Sequence, residues 1–120
     1  MSKADDLQQR VEVFADGVMA FCQPISITAK TERVIGQLIG ASTSVAASYR
    51  AARRARSHAE FTAKIGVVAE EADESEYWLG AAVRQKLGDR STARTLHAEP
   101  LELTKIFARS AQTARSRRRK

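Results

Sequence analysis

Two prolines, six glycines and one cysteine in 120 residues leave this chain short of the residues that punctuate β-structure or cross-link small folds. So few turn formers cannot serve the many hairpins of an all-β chain. Cys22 has no partner for an intrachain disulfide, and one cysteine with two histidines (His58 and His97) makes no structural zinc set. No apolar run approaches the ~18–20 residues that a membrane helix needs. The polar stretch SKADD after Met1 is not a secretory leader. The expectation is a soluble, cytoplasmic domain with no membrane partner, metal or cofactor, long enough to bury a modest core.

What is present repeats at helical spacing. Leu7, Val11, Phe14, Val18 and Phe21 are separated by steps of four, three, four and three, which is a heptad seam. The spacing predicts a first helix from Lys3 to Cys22, with Asp5 and Asp6 in the turn where negative charge suits the dipole and Pro24 ending it. After a connection to about Lys30, capped by Thr28 or Thr31, a second seam runs Ile35, Leu38, Ser42, Val45, Tyr49 and Ala52. Gly36, Gly40, Ala41, Ser42, Ser44, Ala46 and Ala47 surround its middle, and small residues there suit a close helix crossing.

The stretch Tyr49–Leu79 organises the rest. Ser57-x-x-Glu60 reads as a capping box opening a third helix, with Phe61, Ile65, Val68, Ala72, Ser75, Leu79 and Ala82 as its seam. It should end near Leu87, with Gly88 as a left-handed cap. At ~1.5 Å per residue such a rod is roughly 45 Å long and needs partners along its whole length. Asp89 to Leu96 reads as a polar loop, and Glu99-Pro100 as the start of a last helix whose inner stripe is Leu103, Ile106, Phe107, Ser110 and Ala114. The predicted architecture is all-α, an antiparallel up-down-up-down four-helix bundle over residues 1–114, followed by a basic, disordered tail at 115–120.

Charge is unevenly placed. The net +6 resides in residues 109–120, which hold Arg109, Arg115, Arg117, Arg118, Arg119 and Lys120 and no acid. The body up to residue 108 is therefore neutral, and the excess sits in an arm suited to polyanions.

GQLIGASTSVAASYRAARRARSHAEF followed by AKIGVVAEEADESEYWL resembles the bacterial four helix bundle protein family, also called the 23S rRNA intervening-sequence protein family. That family includes the accessory variability determinant of diversity-generating retroelements. The similarity covers about Phe14 to Phe107 and is most specific in the hairpin of the second and third helices. It implies a ring-like homopentamer. For retroelement members it also implies a basic surface contacting nucleic acid and a reverse transcriptase. The chain departs from the family pattern at Gly40, Ser48 and Gly80. No enzymatic activity comes with the resemblance.

The candidate residues each carry two readings. Arg50, Arg53, Arg54 and Arg56 complement the dipole at the end of the second helix, or form a phosphate-binding patch with Arg115, Arg117, Arg118, Arg119 and Lys120. No aromatic is interleaved with the first cluster except Tyr49 at its edge, so base stacking is not indicated. The acids Glu70, Glu71, Asp73, Glu74 and Glu76 lie too far along the third helix to meet those arginines. They face water, pair with Arg10 or Arg109, or meet another subunit, so Glu71 and Asp73 join Tyr49 and Trp78 as interface candidates. A di-iron site is excluded because neither His58 nor His97 follows a Glu at the Glu-x-x-His spacing. Arg53–His58 and Arg90–His97 match the spacing of HEPN-type ribonucleases, a match that arises easily among fourteen arginines. The functional expectation is a non-enzymatic oligomeric scaffold contacting RNA or DNA through these arginines. The alternative is a protein-binding adaptor whose arginines serve assembly alone.

Overall fold

Ser2 opens the first helix with a reciprocal cap. Its hydroxyl accepts from the Asp5 amide at 3.0 Å, while the Asp5 carboxylate accepts from the Ser2 amide at 3.3 Å. From there the computed structural model describes residues 1–118, with four helices in order: α1 (Lys3–Cys22), α2 (Glu32–Arg53), α3 (His58–Arg84) and α4 (Arg90–Arg118). Each packs antiparallel to the next, in a body 50 × 28 × 20 Å across. The bundle is the one expected, because four apolar stripes on short connections can bury one another only in this order.

The seams meet in one core. Val11, Val18, Leu38, Val45, Ile65, Val68, Leu79, Leu103 and Phe107 are all but removed from solvent, each large side chain worth roughly 1.5–3 kcal/mol of transfer free energy. Tyr49 and Phe107 meet across the bundle diagonal with ring centroids 5.2 Å apart. Ser42 and Ser75 are fully buried and return their hydroxyls to their own helices, at Ile39 O and Glu71 O. With Ala41, Ala52, Ala72 and Ala82 they are among the small residues of the inner seams. Gly36 and Gly40 are not at a crossing: both are exposed, with open space where a Cβ would stand.

Local chemistry sets the ends. Thr31 takes the N-cap position of α2 but spends its hydroxyl on the connection, donating to Ser26 O at 2.7 Å. Ser57 caps α3 by accepting from the Glu60 amide at 3.1 Å. Only this half of the expected box forms. The Glu60 carboxylate lies 3.7 Å from Arg56 instead, a long pair with a nearly solvated arginine and little energetic weight.

The helix α3 ends earlier than its seam suggested. The amide of Lys86 donates to Val83 O and that of Leu87 to Ala82 O, a Schellman turn with Lys86 in the left-handed position at φ 58. Gly88, at φ 63, serves the turn into α4, where a Cβ would stand 2.7 Å from the Phe21 ring. Gly88→Ala should cost more than the ~1–2 kcal/mol of left-handed backbone strain alone, while Lys86→Gly should recover about 0.5–1 kcal/mol. Thermal melts of the two variants check the opposite signs.

The last helix begins ten residues before the position expected from Pro100. Asp89 caps it, accepting from the Thr92 amide at 2.9 Å and the Thr92 hydroxyl at 2.7 Å. Ala93, Leu96 and Pro100 extend the stripe of Leu103 and Phe107 backwards at steps of three and four. Pro100 is buried inside the helix, and the backbone bond it forfeits is outweighed by packing on both sides. At the other end α4 continues through Arg118, so residues 115–118 are helical rather than disordered. Arg119 and Lys120 lie outside the described residues.

Two carboxyls tie stability to acid. The hydrogen bond from Arg53, then those from Ser2, hold Asp5 below the ordinary carboxylate value of 3.8. The hydroxyl and amide of Thr92 do the same for Asp89. The folded chain therefore binds fewer protons here than the unfolded one. The stabilisation is complete above that ordinary value and is lost as pH falls through the lower folded values. Melting temperature should drop on acidification below about pH 4, and drop less steeply in the Asp5→Asn/Asp89→Asn double variant.

Candidate nucleic-acid interface

The antiparallel order puts the C-terminal ends of α2 and α4 at the same end of the bundle, beside the N-terminal ends of α1 and α3. Arginines far apart in sequence are thereby brought to one end of the bundle, one group on its α1–α2 side and the other on its α3–α4 side. Arg50, Arg53 and Arg54, with Gln8 and Glu12 from α1, line a surface depression of about 420 Å³. Arg109 and Arg117 project from α4 at the same end, along a second groove of about 500 Å³. Helix C-termini carry partial negative charge, which explains why cations are tolerated at both.

The arginines are not equivalent. Arg53 is engaged, with Nη2 donating to Asp5 at 2.8 Å and tying the end of α2 to the start of α1. Arg56 is 90 % exposed and only loosely near Glu60. Arg50, Arg54, Arg115 and Arg117 are exposed and have no ion-pair partner among the described residues. The Arg118 backbone closes α4.

The acids of α3 do not meet these cations. Arg10 is taken by Glu99 of α4 through two hydrogen bonds of 2.8 and 2.6 Å, a bidentate tie across the thinly packed α1–α4 seam. Glu71 accepts instead from the Ser48 hydroxyl at 2.6 Å, and Glu76 lies 3.2 Å from His97. Gly80 leaves the room that pair requires, since a Cβ there would come within 3.3 Å of His97 Nε2 and 3.2 Å of Arg84. Asp73 is exposed, and Trp78 is half-buried with Tyr77 edge-on at 4.9 Å. Tyr49 is a core residue of this chain, 6 % exposed, and is not free to face a second subunit.

Neither Arg–His pair is assembled into a site of its own. His58 Nε2 lies 2.8 Å from Ala114 O and must be the donor, because a carbonyl only accepts. Arg53 and His97 have the partners given above. Cys22 is buried and its thiol pushed up by that burial, the state of a small apolar filler.

Two features escaped the sequence reading. The first is the α3–α4 groove, where Phe61 and Ile106 lie beside Arg109 and Arg117. Its signal was the half-apolar Ile106 and Ser110 flank of α4, read as core stripe. The second is a smaller basic depression of about 230 Å³ at the opposite end, with Lys86, Arg90 and Arg94 around Leu87. It forms because α4 begins at Arg90, which the loop reading of that segment concealed.

No protein-family model matches this chain, and no curated protein matches it. Among solved structures it is similar to a protein of unknown function from the S23 ribosomal protein family of Bacteroides thetaiotaomicron. The two are 22 % identical and superpose with a TM-score of 0.77, over 92 % of this chain and 99 % of that one. The shared property is the fold.

Proposed function

We propose that this chain is a non-enzymatic scaffold that assembles with copies of itself and holds nucleic acid, RNA or DNA, against its basic end. The observation that carries the reading is the convergence of Arg50 and Arg54 with Arg115 and Arg117 at one end of the bundle, exposed and unpaired among the described residues. Arginines needed only for the fold would be tied to acids, as Arg10 and Arg53 are. Phosphates are the partners that guanidinium groups so placed recognise best.

Self-assembly is supported by what the single bundle leaves uncovered. Val13, Val67, Tyr77 and Leu101 are large apolar side chains at 45–64 % exposure. The outer face of α2 presents Gly36 and Gly40 with open space above them, which permits close approach of another helix. The fold shared with the Bacteroides protein from the S23 ribosomal protein family fits this reading. So does the resemblance to the 23S rRNA intervening-sequence proteins, which adds a homopentamer and, for a retroelement member, a reverse transcriptase as partner. The second reading, a protein-binding adaptor, is favoured by the Arg53–Asp5 tie, which shows one cluster member serving structure.

A salt series separates the two. The scaffold reading expects a native mass that is a multiple of 13.2 kDa and nucleic-acid affinity that falls steeply with salt and weakens when residues 115–120 are removed. Absence of binding at low salt would favour the adaptor, and a monomeric mass would remove the assembly.

A further inference from the structure

From the groove between the start of α3 and the end of α4, and resting on the nucleic-acid reading above, we infer that the bound form is single-stranded, with an unpaired base lodged against Phe61. The groove measures about 500 Å³, within the range of pockets that enclose small ligands. Its floor is apolar, from Phe61 and Ile106, both only partly covered by their own chain. Its flanks are cationic, from Arg109 and Arg117, and no carboxylate lines it.

That combination suits a nucleotide in particular. A base has an apolar face that gains by stacking on an aromatic ring, and its backbone carries the charge that guanidinium groups bind. Arg109 and Arg117 lie about 12 Å apart along the helix axis, far enough to contact phosphates on either side of a lodged nucleotide rather than a single one. Ser110 contributes a polar edge, and His58, fixed as donor to Ala114 O, presents its other ring nitrogen as an acceptor when neutral. A duplex keeps its bases stacked and paired. It could offer the arginines phosphate but could not fill the floor.

The test is fluorescence anisotropy with a labelled single-stranded RNA and the blunt duplex of equal length, on the full chain, across a salt series. Phe61→Leu keeps an apolar filler and removes the ring. Arg109→Ala removes one flanking charge. The inference expects the single strand to bind more tightly than the duplex. It also expects Phe61→Leu to weaken the single strand about tenfold at unchanged salt slope, and Arg109→Ala to lower the slope by ~0.7. Phe61→Leu should leave duplex binding unchanged, and a thermal melt near wild type certifies its fold. If single strand and duplex bind alike and Phe61→Leu is silent, the lodged base is wrong while the basic end stands. If neither nucleic acid binds at low salt, both fall together.

Discussion

Alanine at Arg50, Arg54, Arg115 and Arg117 together should reduce nucleic-acid affinity by about a hundredfold or more at ~50 mM salt and flatten its dependence on salt. Each phosphate contact releases condensed counterions and contributes about 0.7 to the log–log slope on a single strand and about 0.9 on a duplex, so four lost contacts remove roughly three units. The fold should survive, because all four side chains are exposed and lie outside the core. What stability is lost comes from the dipoles at the ends of α2 and α4, where Arg50, Arg115 and Arg117 each contribute about 0.3–1 kcal/mol. Arg53→Ala makes the contrast. Arg53 is paired with Asp5, so its removal should loosen the α1–α2 junction more than it weakens binding. Isothermal titration at three salt concentrations checks the set. An unchanged slope in the quadruple variant would move the phosphates to another face, with the Lys86–Arg90–Arg94 depression the next to test.

The largest effect on stability belongs to Phe107. It is fully buried in α4, stacks at a tilt against Tyr49 of α2 across the diagonal, and so joins helices that are not neighbours in the ring. Phe107→Ala should cost about 3–5 kcal/mol through lost transfer energy and the cavity left behind. For a domain of this size that lowers the melting temperature by roughly 10–20 °C. Phe107→Leu, which refills most of the volume, should cost less than half as much. Tyr49→Phe should be milder again, since it keeps the ring. Similar melts for Phe107→Ala and wild type would mean that the diagonal contact does not hold the bundle together.

Much of this architecture is legible in local pattern. The seam Leu7–Phe21, the proline after Cys22 and the cap at Ser57 each depend on residues within one or two turns, and all three lie where the spacing places them. The start of α4 was not legible. Pro100 is a strong local signal for a first turn, and only the burial of Ala93, Pro100 and Leu103 against the other helices overrides it. The same holds for the cap after Arg84. Gly88 is the local favourite and is indeed left-handed where the chain passes Phe21 and Ile25, yet the turn that ends α3 is made two residues earlier, at Lys86. Gly36 and Gly40 looked like a crossing only because composition does not record azimuth. A residue one step round the helix faces water instead of a neighbour.

The sequence alone determined that this is a bundle of four amphipathic helices with its excess positive charge near the end of the chain, because period, caps and charge counts are properties of neighbouring residues. Only the tertiary structure decided which arginines are spent on Asp5 and Glu99 and which stay unpaired, and that Phe61 stands beside Arg109 and Arg117. Those facts depend on which face of one helix meets which face of another. That pairing is settled by packing the core as a whole, and no single stretch of the chain contains it.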